Sequence, residues 1–393
     1  MLISSFIIQR ELYTKIISLA QKFPVINLTG TRQYGKSTLL KASFPDYAYV
    51  SLEDPDMREL VLGDPRGFLN TFKNPLIIDE AQYAPKLFSF IQGIVDAQDK
   101  PGMFILSGSH NFLLMQSISQ SLAGRSAVLR LSTFSIDELS LAKLLPKDCN
   151  SWIYQGGYPR IYDKNIEPAD FFPSCIQTYI ERDVRLLKNI NDISLFVKFL
   201  RLCAGRSTQV VNISSLANEC GIASQTAVGW LSVLETSNVI FFLEPYYKNF
   251  NKRLVKSPKL YFYDTGLVCS LLGLDNPSQL ALHYMRGELF ENMVISECYK
   301  KAFAKGRNAK AWFWRDNNQN EIDLLIEKGG TLYPIEIKSG ETMQNKYFSA
   351  IRWFKNMAHI PTADGIVIYG GDTDFSGSEG RFISWRNTGP VFS

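Results

Sequence analysis

Only three histidines and six cysteines occur among the 393 residues, and the cysteines, at 149, 175, 203, 220, 269 and 298, form no CxxC pair. That scatter argues against a zinc site and a disulfide framework, and it fits a reducing cytoplasm. Long hydrophobic runs are missing as well. No stretch approaches the roughly 18–20 apolar residues of a membrane helix, so no membrane partner is expected. The opening MLISSFIIQRE has a short apolar run, but no basic residues precede it and no small-residue cleavage site follows, which reads against a signal peptide. A strong excess of one charge sign is also absent, the net charge being +4. With 46% hydrophobic and 20% charged residues, the composition is that of an ordinary soluble globular protein. The length suggests two or three domains.

The small net charge is unevenly spread. Residues 182–260 hold 11 basic and 5 acidic side chains, a local net of +6, whereas residues 1–145 carry 14 and 13. A basic segment of this kind is a candidate nucleic-acid footprint, with a solvated face as the plain alternative.

Against these absences stands one complete motif. Gly30-Thr31-Arg32-Gln33-Tyr34-Gly35-Lys36-Ser37 matches G-x-x-x-x-G-K-S, follows the apolar strand Val25–Leu28 and precedes a helix opening at Thr38. Strand, loop and helix in that order are what the motif requires. Gly30 and Gly35 let the backbone curl until successive N–H groups point inward at a helix N-terminus, which makes a phosphate cradle. Lys36 is expected on the β- and γ-phosphates of ATP and Ser37 on Mg²⁺, with Thr38 in the first helical turn beside them. Asn74–Glu80 then reads as an apolar strand ending in two carboxylates. Asp79 suits Mg²⁺ and Glu80 suits polarisation of the attacking water. A third buried strand, Met103–Leu106, runs into Ser107-Gly108-Ser109, where a hydroxyl at the strand's C-terminal end can sense a γ-phosphate. Ser107 and Ser109 both qualify. Arg125, ahead of the strand Val128–Leu131, is open to three readings: an arginine finger on a neighbouring subunit's nucleotide, a sensor of its own, or a solvated side chain.

On GTRQYGKS, LIIDEAQ, ILSGS and SLAGRS the chain resembles AAA-type ATPases that carry a C-terminal domain of unknown function related to restriction-type nucleases. The resemblance runs from about Arg10 to Ile383. One departure is Tyr34, at a position where a small aliphatic residue is expected and where nothing in the sequence constrains a tyrosine. The resemblance also implies that residues 146–190 form a helical lid, from which Arg182 or Arg185 could approach the nucleotide; a solvated helix face is the plainer and favoured reading of these arginines.

From Val210 the pattern changes. Leu216 and Cys220 share one helical face, Ala217 is small at a crossing point, and Gly221 ends the helix. Ser224 can cap a second helix whose expected buried stripe is Ala227, Val228, Leu231 and Leu234. An alanine four residues before a turn glycine marks a helix-turn-helix. Two strand-like runs, Val239–Leu243 and Leu260–Tyr263, enclose the basic, aromatic stretch Tyr246–Arg253 and continue through Lys256 and Lys259, as a wing would. Gln225 and Thr226 are then candidates for base contact, and Lys248, Lys252 and Arg253 for phosphate contact on duplex DNA. Packing against protein is the competing use.

The last part of the chain holds a second constellation. Glu291 lies on an amphipathic helix, Asp323 on one strand, and Glu336 and Lys338 on one face of the next, with Asp323 and Glu336 13 residues apart. Two carboxylates and a lysine brought together can hold a second Mg²⁺ or Mn²⁺ while the lysine activates water against a phosphodiester. This looks like the PD-(D/E)XK fold, in which an acidic residue on the first helix, here Glu291, adds to the metal site. A surface ion pair between Glu336 and Lys338 is the plain alternative, weakened by the flanking Ile335 and Ile337 because buried charge is costly.

The expected architecture is α/β: a P-loop AAA-type ATPase domain (1–145), a helical connector or lid (146–190), a winged helix-turn-helix (191–264) and a PD-(D/E)XK-like α/β domain (265–393). The expected function is Mg²⁺-dependent ATP hydrolysis driving a switch or motor on DNA, with a homo-oligomer, a ring or a dimer, as the candidate assembly. The alternatives are a signalling or scaffold ATPase binding a protein partner, and a metal-dependent nuclease gated by ATP.

Overall fold

Short apolar runs separated by capped helices build the first half of the chain. In the computed structural model, which describes residues 8–109, 121–179, 192–247, 256–316, 318–358 and 361–393, five such runs form one sheet. They are β1 (Val25–Thr29), β2 (Ala48–Ser51), β3 (Leu76–Asp79), β4 (Phe104–Gly108) and β5 (Ser126–Arg130), all parallel, in the order β2-β3-β4-β1-β5. Every residue of β1, β3 and β4 is buried, as a parallel sheet covered on both faces demands. Val25, Ile78 and Leu106 pack with Phe88, Ile91 and Val95 of the helix Leu87–Gln98. Full burial of each such side chain is worth about 1.5–3 kcal/mol before chain entropy is set against it. Asp54 starts the helix Pro55–Gly63 by accepting the Asp56 N–H at 3.0 Å, with proline at the first helical position, where no N–H is needed.

This sheet belongs to a compact unit made of residues up to Phe134 with 236–238 and 302–307; the rest of the chain forms a second unit. The strand order positions the site. Because β4 lies between β1 and β3, the hydroxyls at its end stand between the loop after β1 and the carboxylates after β3.

In the second unit, helices precede a mixed sheet. The helix Ile136–Leu141 begins with a reciprocal cap, Glu138 N–H to Ser135 Oγ at 3.1 Å and Ser135 N–H to Glu138 Oε2 at 3.0 Å. The helix Ile213–Cys220 starts on Asn212 and ends at Gly221, whose φ of +81° suits glycine and whose N–H donates to Ala217 O at 2.9 Å. Leu216, Ala217 and Cys220 are buried, as the pattern predicts. The second helix, Ser224–Thr236, departs from its expected stripe. Val228 is 41% exposed, while Trp230 and Val233 join Ala227, Leu231 and Leu234 inside. The cause is Trp230, whose ring meets Phe196 and Phe199 edge-on at 5.2 and 5.3 Å and turns the buried face away from Val228. An antiparallel pair, β6 (Ile240–Leu243) and β7 (Lys259–Phe262), follows.

The long helix Arg286–Ala304 leads into β8 (Ala311–Arg315), β9 (Glu321–Lys328), β10 (Thr331–Lys338), β11 (Gly365–Tyr369), β12 (Phe375–Gly377) and β13 (Gly380–Ser384). These form one sheet, ordered β12-β13-β11-β10-β9-β8, antiparallel from β8 to β10 and parallel from β10 through β11 to β13. Gly329 and Gly330, both at positive φ, turn β9 into β10. Asn292 on the long helix is wholly buried and holds the outer edge of β7. Its Oδ1 accepts Phe262 N–H at 2.8 Å and Ser207 Oγ at 2.7 Å, and its Nδ2 donates to Phe262 O at 2.8 Å.

No helix among the described residues is long and apolar enough to cross a membrane. Arg182, Arg185, Lys248, Lys252 and Arg253 lie outside the described residues.

Candidate functional site

The loop after β1 takes its shape from its glycines. A Cβ on Gly30 would stand 2.6 Å from the Leu131 carbonyl oxygen, and Gly35 adopts φ +84° immediately before the helix Lys36–Ser43. The first N–H groups of that helix have no intrahelical acceptor and point toward the loop. Lys36 is buried, and its ammonium donates to Gly30 O at 2.7 Å, Thr31 O at 3.2 Å and Ser109 Oγ at 3.4 Å. Ser37 is half-buried and Thr38 exposed.

Four donors converge on Asp79. Ser37 Oγ (2.5 Å) and Tyr49 OH (2.7 Å) reach Oδ2, while Ser107 Oγ (2.5 Å) and the Glu80 N–H (3.1 Å) reach Oδ1. Burial by itself raises the Asp79 carboxyl. The hydrogen bonds from Ser107, Ser37 and Tyr49, with the Lys36 charge, nevertheless hold it below its ordinary value. It is therefore an anion facing Ser37, the hard-oxygen pair that Mg²⁺ takes, and this donor set fits that ion. Tyr49 was not legible as a site residue. Its phenol is pushed up by burial first and by Asp79 second, so it stays a donor.

Glu80 sits in the left-handed region, φ +55°, at the turn after β3. Its carboxylate accepts from Gln82 Nε2 at 2.5 Å and from the Ser109 N–H at 3.2 Å, and it also takes the Ser109 hydroxyl. The two serines left open by the sequence thus have separate partners, Ser107 on Asp79 and Ser109 on Glu80 and Lys36. Arg125 pairs with Asp96 through both Nε and Nη2 on the surface. Tyr34 is constrained after all: it is 2% exposed, its OH donates to Asn238 O at 3.3 Å, and Thr31 Oγ1 donates to Ser237 O at 2.8 Å.

The second constellation splits in two. The β9–β10 register pairs Ile335 with Leu324, so Glu336 and Asp323 come next and opposite. Lys338 Nζ lies 2.7 Å from Glu336 Oε2 and 3.3 Å from Asp323 Oδ2, and Asp323 Oδ2 also accepts the Ile337 N–H at 2.8 Å. Glu336 Oε1 is buried without a hydrogen-bond partner. Burial, then the Asp323 charge, push the Glu336 carboxyl up to about 8 against the pull of Lys338.

Glu291 has its own hydrogen-bond partners, though Asp323 is near enough to act on its charge. Its Oε1 accepts from Tyr261 OH at 2.6 Å and faces Lys259 Nζ at 3.1 Å; Lys259 also pairs with Glu321. Burial raises the Glu291 carboxyl to about 7 although Lys259 draws it down. Lys259, expected on a basic wing, is instead buried, 4% exposed, among carboxylates. Tyr261 went unnoticed because its partner Glu291 lies 30 residues away, and Glu321 because Lys259 comes to it from β7. Among the described residues no group of three or more His, Cys, Asp or Glu side chains is placed to hold a metal ion. Lys338 already bridges Asp323 and Glu336, and Glu291 is engaged by Tyr261 and Lys259. On the helix Ser224–Thr236, Gln225 and Thr226 are exposed beside Val228.

Comparison with known proteins gives three family matches: an AAA domain over residues 22–140, a domain of unknown function (DUF8612) over 146–278, and another (DUF4143) over 286–387. Uncharacterized proteins of Mycobacterium bovis and Mycobacterium tuberculosis are each 30% identical over 341 residues, spanning 85% of this chain and 74% of theirs. An uncharacterized protein of Methanocaldococcus jannaschii is 23% identical over 248 residues, 62% of this chain and 50% of that one. Among solved structures, a Walker-type ATPase of Pyrococcus abyssi aligns at 16% identity over 67% of this chain and 96% of that chain, with a TM-score of 0.45. AMPPCP-bound DnaA from Aquifex aeolicus aligns at 15% identity over 57% and 86%, with a TM-score of 0.29.

Proposed function

Because the chain belongs to the family of these mycobacterial proteins, with an AAA-type P-loop ATPase domain ahead of DUF8612 and DUF4143, we propose that it is a Mg²⁺-dependent ATPase working as a nucleotide-driven switch or motor on duplex DNA. One observation carries the ATPase part. Lys36, Ser37, Asp79, Glu80, Ser107 and Ser109 form a single hydrogen-bonded set at the C-terminal ends of β1, β3 and β4. The loop N–H groups and Lys36 bind the phosphates, and Ser37 and Asp79 hold Mg²⁺, which neutralises charge on the transferring phosphoryl group when bound. Glu80 takes the proton of the attacking water, and such a base is worth about 10²–10⁴ in rate. Ser109 and Gln82 aim its carboxylate. Arg125 serves as a finger toward a neighbouring copy.

The DNA part rests on the exposed Gln225 and Thr226 at the start of the second helix, read as the recognition helix of a winged helix-turn-helix. The four-part division of the chain goes with that reading. The C-terminal domain is read as nuclease-like, with Asp323 and Glu336 holding a divalent ion and Lys338 beside them. The protein-directed alternative draws support from Val228, an exposed apolar residue beside Gln225 and Thr226, and from Lys259, which burial removes from the basic stretch.

ATP hydrolysis measured with and without duplex DNA, beside Glu80→Gln, tests the proposal. Stimulation by DNA that weakens steeply with salt is expected. Hydrolysis indifferent to DNA would transfer the assignment to a protein-directed switch. If the nuclease-like reading holds, Asp323→Ala and Lys338→Ala abolish DNA cleavage and leave ATP hydrolysis intact.

A further inference from the structure

Arg32 sits in the middle of the phosphate loop, and its guanidinium turns toward the carboxylate side of the site. Its Nη1 pairs with Glu53 Oε1 at 2.9 Å, and its Nη2 donates to Tyr83 OH at 3.4 Å. Tyr83 ends the short 3-10 helix Ala81–Tyr83 that begins just after Glu80, and its N–H donates to Glu80 O at 3.1 Å. Glu53 follows β2, where the Leu52 N–H donates to Asp79 O at 2.9 Å. Arg58 steadies both partners. It donates to Leu52 O at 2.9 Å and to Glu53 O at 3.2 Å, and its guanidinium carbon lies 4.3 Å from the centre of the Tyr83 ring.

The other cation of the loop is close by. Lys36 Nζ lies 3.2 Å from Thr31 O, and the carbon of that carbonyl is bonded to the Arg32 nitrogen. Ser109 Oγ accepts from Lys36 at 3.4 Å and donates to Glu80, so the phosphate lysine and the general base face each other across one hydroxyl. The γ-phosphate belongs between them, because the water that Glu80 activates must stand in line with it. Arg32 extends from beside Lys36 toward the turn that carries Glu80, along the flank of that space. Its planar fork suits phosphate oxygens, which it can bond two at a time. Its carboxylate partner yields readily: the Arg32 side chain is 21% exposed and that of Glu53 44%, and ion pairs this open to water add little stability.

We propose that Arg32 is a catalytic arginine for the nucleotide of its own chain, passing from Glu53 to the γ-phosphate when ATP binds, with Glu53 as its resting partner. The proposal rests on the ATPase reading and adds a residue to it. In the step concerned, the oxygen of the attacking water bonds to the γ-phosphorus and Glu80 takes the water proton. The bond from that phosphorus to the β–γ bridging oxygen breaks, and its electron pair leaves on ADP. Charge is spread over the three remaining γ-oxygens as this happens, and Arg32 and Lys36 neutralise it together.

The test compares ATP hydrolysis by the full chain with that of Arg32→Ala, Arg32→Lys, Tyr83→Phe and Glu53→Gln. Trapping of ADP by aluminium fluoride, a mimic of the transferring phosphoryl group, is measured alongside. Arg32→Ala should lower kcat about 10³-fold, the low end for an arginine supplied to this reaction. KM for ATP should stay within about threefold, since the contact is made in the transition state. ADP should still bind, but aluminium fluoride should no longer trap it. R32K keeps the charge without the fork and should recover only part of the rate. Y83F and E53Q should hydrolyse ATP at least as fast as about one third of the parent rate, because neither group touches the phosphate. Equal mixtures of R32A and E80Q should stay inactive. If R32A does not fold, R32Q keeps donors without the charge and carries the same expectation.

Failure of the two ideas looks different. Parent hydrolysis no faster than that of E80Q would overturn the ATPase reading itself. Parent hydrolysis matched by R32A or R32Q would overturn the role of Arg32 alone. A loss in Y83F or E53Q as deep as that in R32A would also overturn it, because Arg32 would then be a brace for the Glu80 turn. Recovery of activity on mixing R32A with E80Q would place Arg32 on a neighbour's nucleotide and overturn its action within one chain.

Discussion

Replacing Asp79 by asparagine separates charge from shape at the P-loop. Of the four donors on the carboxylate, only the Glu80 N–H, 3.1 Å from Oδ1, cannot reverse its role. The amide oxygen of the new side chain therefore takes the Oδ1 position and keeps the bonds from Glu80 and Ser107. Its NH₂ faces Ser37 and Tyr49, whose hydroxyls can rotate to accept. Bonds to a charged group, at about 1.5–3 kcal/mol each, become neutral ones of about 0.5–1.5 kcal/mol, while the cost of burying the anion is relieved. The net loss of stability should be about 1–2 kcal/mol, a small part of the total for a domain. The functional loss is larger. Without the anion, Mg²⁺ affinity should fall about 10–100-fold, or about 1.4–2.7 kcal/mol. The assay is ATP hydrolysis against Mg²⁺ concentration at saturating ATP, with binding of a fluorescent ATP analogue in EDTA as control. The Mg²⁺ midpoint should rise by that factor while metal-free nucleotide binding changes by less than about threefold. An unchanged midpoint would refute the placement of the ion between Ser37 and Asp79. Loss of nucleotide binding in EDTA would make Asp79 a brace for the loop rather than a metal residue.

Asn292→Ala leaves Phe262 N–H, Phe262 C=O and the Ser207 hydroxyl buried without their partner, at about 1–3 kcal/mol each. A clear drop in melting temperature, with faster amide exchange across 256–263, is the expected result; a melt within a degree of the parent would contradict it. The Glu336 carboxyl, raised to about 8, binds its proton more tightly folded than unfolded. Its contribution to stability is therefore complete below about pH 4.5 and is lost as pH rises through about 8. Glu336→Gln should flatten the fall of melting temperature between pH 5 and 8, and an identical slope in both proteins would count against the buried carboxyl. Arg125→Ala removes an exposed pair with Asp96 and a surface bond to Ala123 O, so melting should change little. If the finger role holds, hydrolysis per chain should fall sharply while nucleotide binding is kept, and an unaltered rate would end that assignment.

Local features were the most legible. The P-loop could be read because its chemistry lies within eight consecutive residues, Gly30 to Ser37, whose glycines dictate the backbone whatever the rest of the chain does. Asp79 and Glu80 were legible because a buried strand ending in carboxylates advertises itself. The turn at Gly221 was found from Ala217 four residues earlier, and the Asp323–Glu336 pairing from a hairpin length. In each case the partners are either neighbours in sequence or joined by a single turn.

The tertiary structure decided what lay farther apart. Ser107 and Ser109 carry the same group at adjacent odd positions, and only the insertion of β4 between β1 and β3 gives one to Asp79 and the other to Glu80. Tyr49 reaches the site from β2, which pairs with β3 along its whole length. Val228 obeyed the helical period yet stayed outside, because Trp230 met Phe196 and Phe199 and set the rotation of its helix. Lys259 had the composition of a basic wing, and Glu291 that of a free metal ligand, until the fold placed one against the other. Periodicity states which side of an element is apolar; it carries no information about which distant charge will lie across from a polar one. By itself the sequence determined a phosphate-binding loop, its paired carboxylates and an α/β order of elements. Which distant charge lies across from Glu291 was decided only by packing, which brought Lys259 of β7 to it.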